Sequence, residues 1–595
     1  MSEFRPTRAL RTLTLLKQIP KFEEMSLGPD GRLKRDGLEL HMNDYCRRGA
    51  RTAIDLARAS GGTCTAMTLG PASAQTVLRE AILAGAESGL HIVGDAFAGS
   101  DTFATASALA AAIRSQDPFD AVFCGRNSVD ADTGQVPAQL AQLLDWPLLT
   151  GVREIRLEGE TVYALLEHDD EWVQVQVELP AVISCAERLC DPVKIKDPEL
   201  WATVDARHIS ELTPENLGPG PWGSAGSPTW VGNVKLLAHA RQKEKLGGVE
   251  RDQIERVIDA LRERGAFDFA ASDATVGRVR EASSAPQRRL AVLAEQGRAR
   301  VTRELLGEAA EIANRVQAVV LSVGGDLEEP ALLRSWGADE VLELRGSTQD
   351  EDVAAALAEP LASFWAVLAP GTARGRELAS RLSARWGAGL TGDAVELAVH
   401  NDRLIALKPA FGGQLVAEIG CSSPTQMATL RPGVLALRAP RAAEPIPVHS
   451  LDVAAQSRLR VEKRWRDDDA DELANAEFVI GVGQGVDTAD YPLLERWAAE
   501  LGAVLCATRK VTDQGWMPRA RQVGITGHCI SPKLYIGIGT SGKFNHTVGV
   551  RRAGTNVGIN PDPDCPLWDW CDIGLVGDWK AAFERLVPRL RAEIR

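Results

Sequence analysis

The chain has 595 residues, 45% of them apolar and 25% charged, and its 67 Lys and Arg against 81 Asp and Glu give a formal net charge of −14. That length predicts about four domains rather than one oversized core, and the negative balance disfavours a nucleic-acid or anionic-membrane partner. No run reaches the roughly 18 apolar residues of a spanning helix and the N-terminal stretch lacks a signal peptide's apolar core, so a cytoplasmic protein is expected. The ten cysteines (Cys46, Cys64, Cys124, Cys185, Cys190, Cys421, Cys506, Cys529, Cys565 and Cys571) include no C-x-x-C pair. Buried reduced thiols are expected, not disulfides, zinc or iron–sulfur clusters.

In chain order, strands are predicted at 12–16, 64–69, 89–93 and 121–124, and helices at 44–59, 72–84 and 101–115. Apolar strands alternating with amphipathic helices predict βαβ units and a parallel sheet, an α/β fold. Residues 120–155 run strand, polar turn, helix, tryptophan, Leu-Thr-Gly, strand, and residues 365–397 repeat that order. Trp146 is answered by Trp386, and Thr150-Gly151 by Thr391-Gly392, a spacing that suggests duplicated domains. Residues 211–230 are rich in Pro, Gly and Ser and read as an extended arm, followed by a polar helix at 249–264 and a linker at 270–289. A new α/β domain starts with a strand at 290, then a helix at 309–315, a strand at 318–323 and a helix ending near 336. A second break at 438–450 precedes the last domain, giving segments 1–204, 205–288, 289–440 and 441–595.

The last segment carries the most chemistry. Residues 477–503 read as strand, glycine-dense turn (Gly481, Gly483, Gly485) and helix, a pattern that suits a phosphate or simply a tight turn. Three further glycine- and hydroxyl-bearing turns, at 522–527, 539–546 and 556–564, flank short apolar strands and are expected at one end of a sheet. Such loops suit a large ligand with phosphates, a ribityl chain and a heteroaromatic ring.

This block resembles the C-terminal domain of the electron transfer flavoprotein α subunit, through Arg509, Gly515-Trp516, the Gln-Val-Gly-x-Thr-Gly run at 522–527, Ser-Pro-x-Leu-Tyr at 531–535, Gly-x-Ser-Gly-x-x-x-His at 539–546 and Ile-Asn-x-Asp-Pro at 559–563. The resemblance implies one FAD. It assigns contacts to Gln484, Thr508, Arg509, Gln522, Val523, Gly524, Ile525, Thr526, Ser541, Gly542, Lys543, Phe544, Asn545, His546, Asn560, Asp562, Asp578 and Trp579. In that reading the Arg509 cation beside the ring raises its potential, Thr526 serves the N5 edge, His546 the pyrimidine carbonyl, and Asn560 and Asp562 the adenosine end. Gln484 and Ile525 depart from the family, which has Arg and Gln there, and each departure should weaken binding by about 1–3 kcal/mol.

Residues 290–434 resemble the α subunit's N-terminal domain, and residues 1–267 resemble the β subunit, through LLKQIP, HMNDYC and the 124–147 stretch, so the chain reads as a β–α fusion. The fold implied is three parallel-sheet α/β domains, two related adenine-nucleotide-hydrolase-like ones and a doubly wound FAD-binding domain, plus an extended arm. The β resemblance implies a second nucleotide site at Asn43, Cys46, Gly125, Asp130, Asp132, Thr133 and Gln135, with AMP, a second FAD and an empty pocket all open. After the Arg-Leu-x-x-Pro motif the family's lysine cluster is missing, and Leu200 and Trp201 are candidate docking residues, or simply pack on their own domain. The resemblance implies a non-enzymatic electron carrier, a monomer equivalent to the usual heterodimer. It would take electrons from a flavoprotein dehydrogenase and pass them to a quinone oxidoreductase or other acceptor. Its FAD domain would move between partners across the two breaks. The alternatives are a bifurcating oxidoreductase with a second FAD and NADH as donor, and a non-redox adenine-nucleotide-binding protein.

Overall fold

The computed structural model describes residues 3–20, 39–128, 130–169, 171–186, 188–236, 241–269, 277–281, 286–410, 415–466, 472–473, 476–524, 527–528, 530–550 and 553–594. It divides into two compact units, residues 1–236 with 276–465 and residues 237–275 with 466–595. The structure is mixed α/β, and no described helix is long and apolar enough to cross a membrane.

The first unit contains two parallel sheets of one topology. In the first, the strands lie in the order Ile209–Leu212, Ser88–Ile92, Thr63–Leu69, Arg11–Leu16, Ala121–Gly125, Ala181–Cys185, Leu148–Gly159. In the second, the order is Val448–Val453, Glu340–Gly346, Ala318–Gly324, Arg288–Leu293, Ala366–Pro370, Gln426–Leu430, Leu390–Ala394. Numbered within each repeat, both sheets read 7-3-2-1-4-6-5, so the internal similarity in sequence reflects a duplicated fold. Helices cover both faces, which is why central strands such as Ala121–Gly125 and Ala366–Pro370 are apolar and buried rather than alternating. The repeats pack through corresponding helices, Val136–Leu144 and Ala373–Trp386, where Gln139 Nε2 donates to Ser383 Oγ at 3.1 Å.

Each repeat also carries an antiparallel extension, and each extension receives a strand from outside its own repeat. Thr229–Leu236, at the end of the Pro- and Gly-rich arm, pairs with Leu415–Cys421 of the second repeat. Arg460–Arg466, past the second break, lies beside Glu171–Glu178 of the first. The arm is thus partly ordered, with short helical turns at Pro214–Leu217 and Gly223–Gly226, because the strand that follows it supplies ladder hydrogen bonds. The helix read at 309–315 begins ten residues earlier, as Ala299–Val316. Its apolar stripe includes Leu305, Leu306, Ala309, Ile312 and Ala313, and the Gly307 that interrupts the sequence pattern faces the Arg438 side chain instead of breaking the helix.

The second unit is a parallel sheet in the order Glu244–Gly247, Ile573–Val576, Thr555–Asn560, Leu534–Ile538, Phe478–Val482, Val504–Ala507. The outer strand and the helix Arg251–Glu263 come from the region read as arm, and Ile254, Val257, Ile258 and Leu261 of that helix are buried in the unit's core.

Candidate functional site

In the second unit the chain passes from Phe478–Val482 to Val504–Ala507 on one side and then crosses to Leu534–Ile538 on the other. Open α/β sheets bind ligands at such a reversal, beyond the carboxyl ends of the strands. The four expected turns gather at that edge: those at 481–485, 539–546 and 556–564 continue parallel strands, and the one starting at Gln522 is bridged to Ala507 at the end of a fourth.

At the reversal the backbones of two loops touch. Gly485 N donates to Gly539 O at 3.1 Å, and a Cβ built on Gly483 would lie 2.1 Å from that same oxygen. Gly539 has φ +58°, so both sides of the contact require glycine. Asn560 ties the next two loops together, its Nδ2 donating to Thr540 O at 2.8 Å and its Oδ1 accepting from Asp562 N at 2.9 Å. Gly577 N donates to Asn560 O at 3.1 Å and Cys565 Sγ to Ser541 O at 3.2 Å. On the other flank, Val523 N donates to Ala507 O at 3.0 Å, which sets the 522–524 turn beside Thr508 and Arg509. Gln484, Thr508, Arg509, Gln522, Val523, Gly524, Ser541, Gly542, Lys543, His546, Asn560, Asp562 and Asp578 therefore lie on loops stitched along one edge.

Their side chains differ in availability. Gln484, Ser541 and Lys543 are exposed, and Arg509 is 53% exposed with its Nε on Asp513 Oδ2 at 3.1 Å. Gln522 is buried and accepts from Thr512 Oγ1 at 2.6 Å. His546 is buried with both ring nitrogens engaged: Nδ1 lies 3.0 Å from Val523 O and Nε2 2.7 Å from the Tyr535 hydroxyl. A carbonyl only accepts, so Nδ1 carries the proton and Nε2 accepts from Tyr535. Burial pushes the imidazole pKa down to about 4, against the raising effect of the Val523 carbonyl. The neutral ring thus faces the protein, and donation to a pyrimidine carbonyl would require a different arrangement. Trp579 is likewise turned inward, in T-shaped contact with Trp497 and Phe583, while Asp578 caps that helix by accepting from Ala581 N at 2.9 Å. Ile525 and Thr526, and the side chains of Phe544 and Asn545, lie outside the described residues.

Two groups escape the sequence reading. Tyr535 closes the Ser-Pro-x-Leu-Tyr motif with no role assigned to it, yet its hydroxyl orients His546 eleven positions on. Thr540 Oγ1 is buried with no protein partner, beside the glycine contact. A glycine cradle with an unspent hydroxyl fits a ligand whose phosphates and hydroxyls need close backbone approach.

The corresponding reversal in the first repeat lies between Arg11–Leu16 and Ala121–Gly125. Asn43 Nδ2 donates to Asn127 O at 2.8 Å, and its buried Oδ1 has no partner. Asp130 receives Lys17 Nζ at 2.8 Å. Burial alone would raise its pKa, but Lys17 and Ser128 hold it below the ordinary value. A Cβ on Gly125 would lie 2.6 Å from Tyr45 Cβ, Cys46 is buried, and Asp132 pairs with Asn127. Gln135 and Thr133 belong to the junction between repeats: Gln135 accepts from Thr102 Oγ1 at 2.6 Å and donates to Leu390 O at 3.1 Å, and a Cβ on Gly392 would lie 3.3 Å from Thr133 Cβ. Leu200 is 46% exposed on the short helix Pro198–Ala202, and Trp201 is half-buried, its Nε1 donating to Ile195 O at 2.8 Å. The described cysteines form no disulfide, and no group of His, Cys, Asp and Glu able to hold a metal occurs among the described residues.

Residues 472–551 match the electron transfer flavoprotein FAD-binding domain, the span that holds most of these loops. The electron transfer flavoprotein domain matches twice, at residues 30–210 and 291–456, once on each repeat and over more than half of the chain. The chain belongs to the electron transfer flavoprotein family. It is 33% identical over 309 residues to an electron transfer flavoprotein subunit alpha of Thermoanaerobacterium thermosaccharolyticum, covering 49% of this chain and 92% of that one. Similar matches are a FixB protein of Clostridium saccharobutylicum, 31% identical over 49% of this chain and 92% of its own, and a subunit alpha of Mycobacterium leprae, 32% identical over 49% and 94%.

Proposed function

We propose that this chain is an electron carrier holding one FAD, with a β-like half (1–204 and the arm 205–288) and an α-like half (289–440 and 441–595) in one polypeptide. It takes electrons from a flavoprotein dehydrogenase and passes them to a quinone oxidoreductase or another acceptor. The observation that carries this reading is the glycine contact between Gly483–Gly485 and Gly539, with Thr540 beside it, at the strand reversal of the domain that matches the FAD-binding family. When bound, FAD supplies the one- and two-electron chemistry. The protein's own residues bind and orient: Asn560 fixes the two loops on its flanks, Tyr535 and His546 hold the Val523 turn, and Arg509 and Lys543 bring positive charge to the same edge. Leu200, exposed beside the fixed Trp201, is the apolar contact proposed for the partner. FAD extracted per chain from the purified protein tests the reading. One per chain is expected, and none, even after reconstitution, overturns it.

A second reading rests on Asn43, whose buried Oδ1 is unspent at the first repeat's strand reversal, with Lys17, Asp130 and Asn127 around it. That strand reversal is proposed for an adenine nucleotide, AMP or a second FAD. A second FAD reducible by NADH would make the protein a bifurcating oxidoreductase.

A further inference from the structure

The second repeat has a cleft at its own strand reversal that none of the residues above lines. It opens at the carboxyl ends of Arg288–Leu293, Ala318–Gly324, Glu340–Gly346 and Ala366–Pro370 and has a volume of about 240 Å³. A single water needs about 10–15 Å³. Two other clefts of the same unit reach only about 30 Å³ each. The floor is aliphatic, formed by Leu293, Val323, Leu344, Val353, Leu357 and Leu378. The rim carries Glu295, Asp326, Asp350 and Arg374.

That rim is set against phosphate. Arg374 is already spent on Asp350 Oδ1 at 3.3 Å and Thr348 O at 2.9 Å. At the N-terminus of Ala373–Trp386 two amides are taken as well, with Gly375 N on Thr372 Oγ1 at 3.0 Å and Ala373 N on Asp169 Oδ2 at 2.7 Å. An anion entering here would meet three carboxylates, two of them paired with guanidinium groups (Asp350 with Arg374, Glu295 with Arg298), which leaves one negative charge in excess. The same rim welcomes hydroxyl donors. Asp326 stands just past the second strand of the repeat, held at φ +49°, with its Oδ2 bonded to Gln296 Nε2. Glu295 stands just past the first, bonded to Thr372 Oγ1 and Arg298 Nε. Carboxylates keep accepting capacity after such bonds, and an acidic group near the end of a strand is how open α/β nucleotide folds take a ribose hydroxyl. A flat apolar base suits the floor.

We infer that this cleft binds an uncharged purine ribonucleoside, with its base on the Leu293, Leu344 and Leu378 floor and its vicinal diol on Asp326 and Glu295. The site is separate from the FAD site and from the strand reversal at Asn43, and stands without either. It is tested by calorimetric titration of the purified full chain with adenosine, 2′-deoxyadenosine and AMP, on wild type, Asp326→Asn and Leu344→Trp. Saturable binding of about one adenosine per chain is expected. Loss of one charge-assisted hydrogen bond weakens binding about tenfold in Asp326→Asn or with 2′-deoxyadenosine. Leu344→Trp, which fills the floor, abolishes it. AMP that still binds Leu344→Trp occupies another cleft, and AMP sensitive to Leu344→Trp must bind more weakly than adenosine. Asp326→Asn changes one surface oxygen to nitrogen, so it keeps the test open if the tryptophan variant fails to fold. Absence of saturable adenosine binding, equal affinity in Asp326→Asn, or undiminished binding in Leu344→Trp overturns the inference.

Discussion

The Tyr535 hydroxyl donates to Nε2 of His546 at 2.7 Å, while Nδ1 of the same ring donates to Val523 O at 3.0 Å. One neutral imidazole thus joins a central strand to the 522–524 turn. Burial holds its pKa at about 4, below the 6.5 of an exposed histidine. Between those values the unfolded chain binds a proton that the folded one refuses, so this contribution is complete above pH 6.5 and is lost as pH falls toward 4. The full loss is on the order of 3 kcal/mol. Denaturant midpoints at pH 7 and pH 4 should therefore fall less in His546→Gln than in wild type, and equal slopes would contradict the assignment.

Tyr535→Phe removes the hydroxyl and leaves Nε2 buried without a partner, at a cost of about 1–3 kcal/mol. Thermal unfolding should show that loss, together with weaker FAD retention on dilution. A variant of unchanged stability would show that the pair does not hold the turn.

Gly483→Ala places a methyl carbon 2.1 Å from Gly539 O, a backbone atom that cannot swing away. The two loops must part, and FAD retention should fall at least about tenfold, the equivalent of 1.4 kcal/mol. Gly502→Ala is the control: nothing lies within 4 Å of its Cβ, so only the strain of φ +63° is felt. Equal flavin content in the two variants would sink the cradle.

Trp579→Ala should act through packing. The indole is 6% exposed and meets Trp497 and Phe583. A loss of about 3–5 kcal/mol is expected for the domain even without flavin. A change confined to the flavin-loaded protein would instead place Trp579 in contact with the ligand, as the sequence reading expects.

Gln135→Ala leaves Leu390 O and Thr102 Oγ1 without their shared partner at the junction of the repeats. Thermal unfolding of the first unit should register about 1–3 kcal/mol, with flavin content unchanged. Loss of bound nucleotide at unaltered stability would instead place Gln135 in a ligand site.

The α/β class and the duplication were legible because parallel strands buried on both faces leave continuous apolar runs, and because Thr150-Gly151 and Thr391-Gly392 mark the same strand in each copy. The loops of the site were legible from their glycines. Side-chain direction was not: the sequence places His546 and Trp579 beside motifs but does not say that Tyr535 draws one inward and Trp497 the other. Nor does composition show that Thr229–Leu236 and Arg460–Arg466 would each complete the other repeat's extension, since strand partners hundreds of residues apart leave no local periodicity.

The central claim is a carrier with one FAD, and anaerobic titration of the purified chain with NADH, followed by dithionite, tests it most directly. The account predicts one FAD per chain, a visible flavin band unmoved by NADH and bleached by dithionite. A colourless protein that cannot be reconstituted, or two FAD with bleaching by NADH, would contradict it.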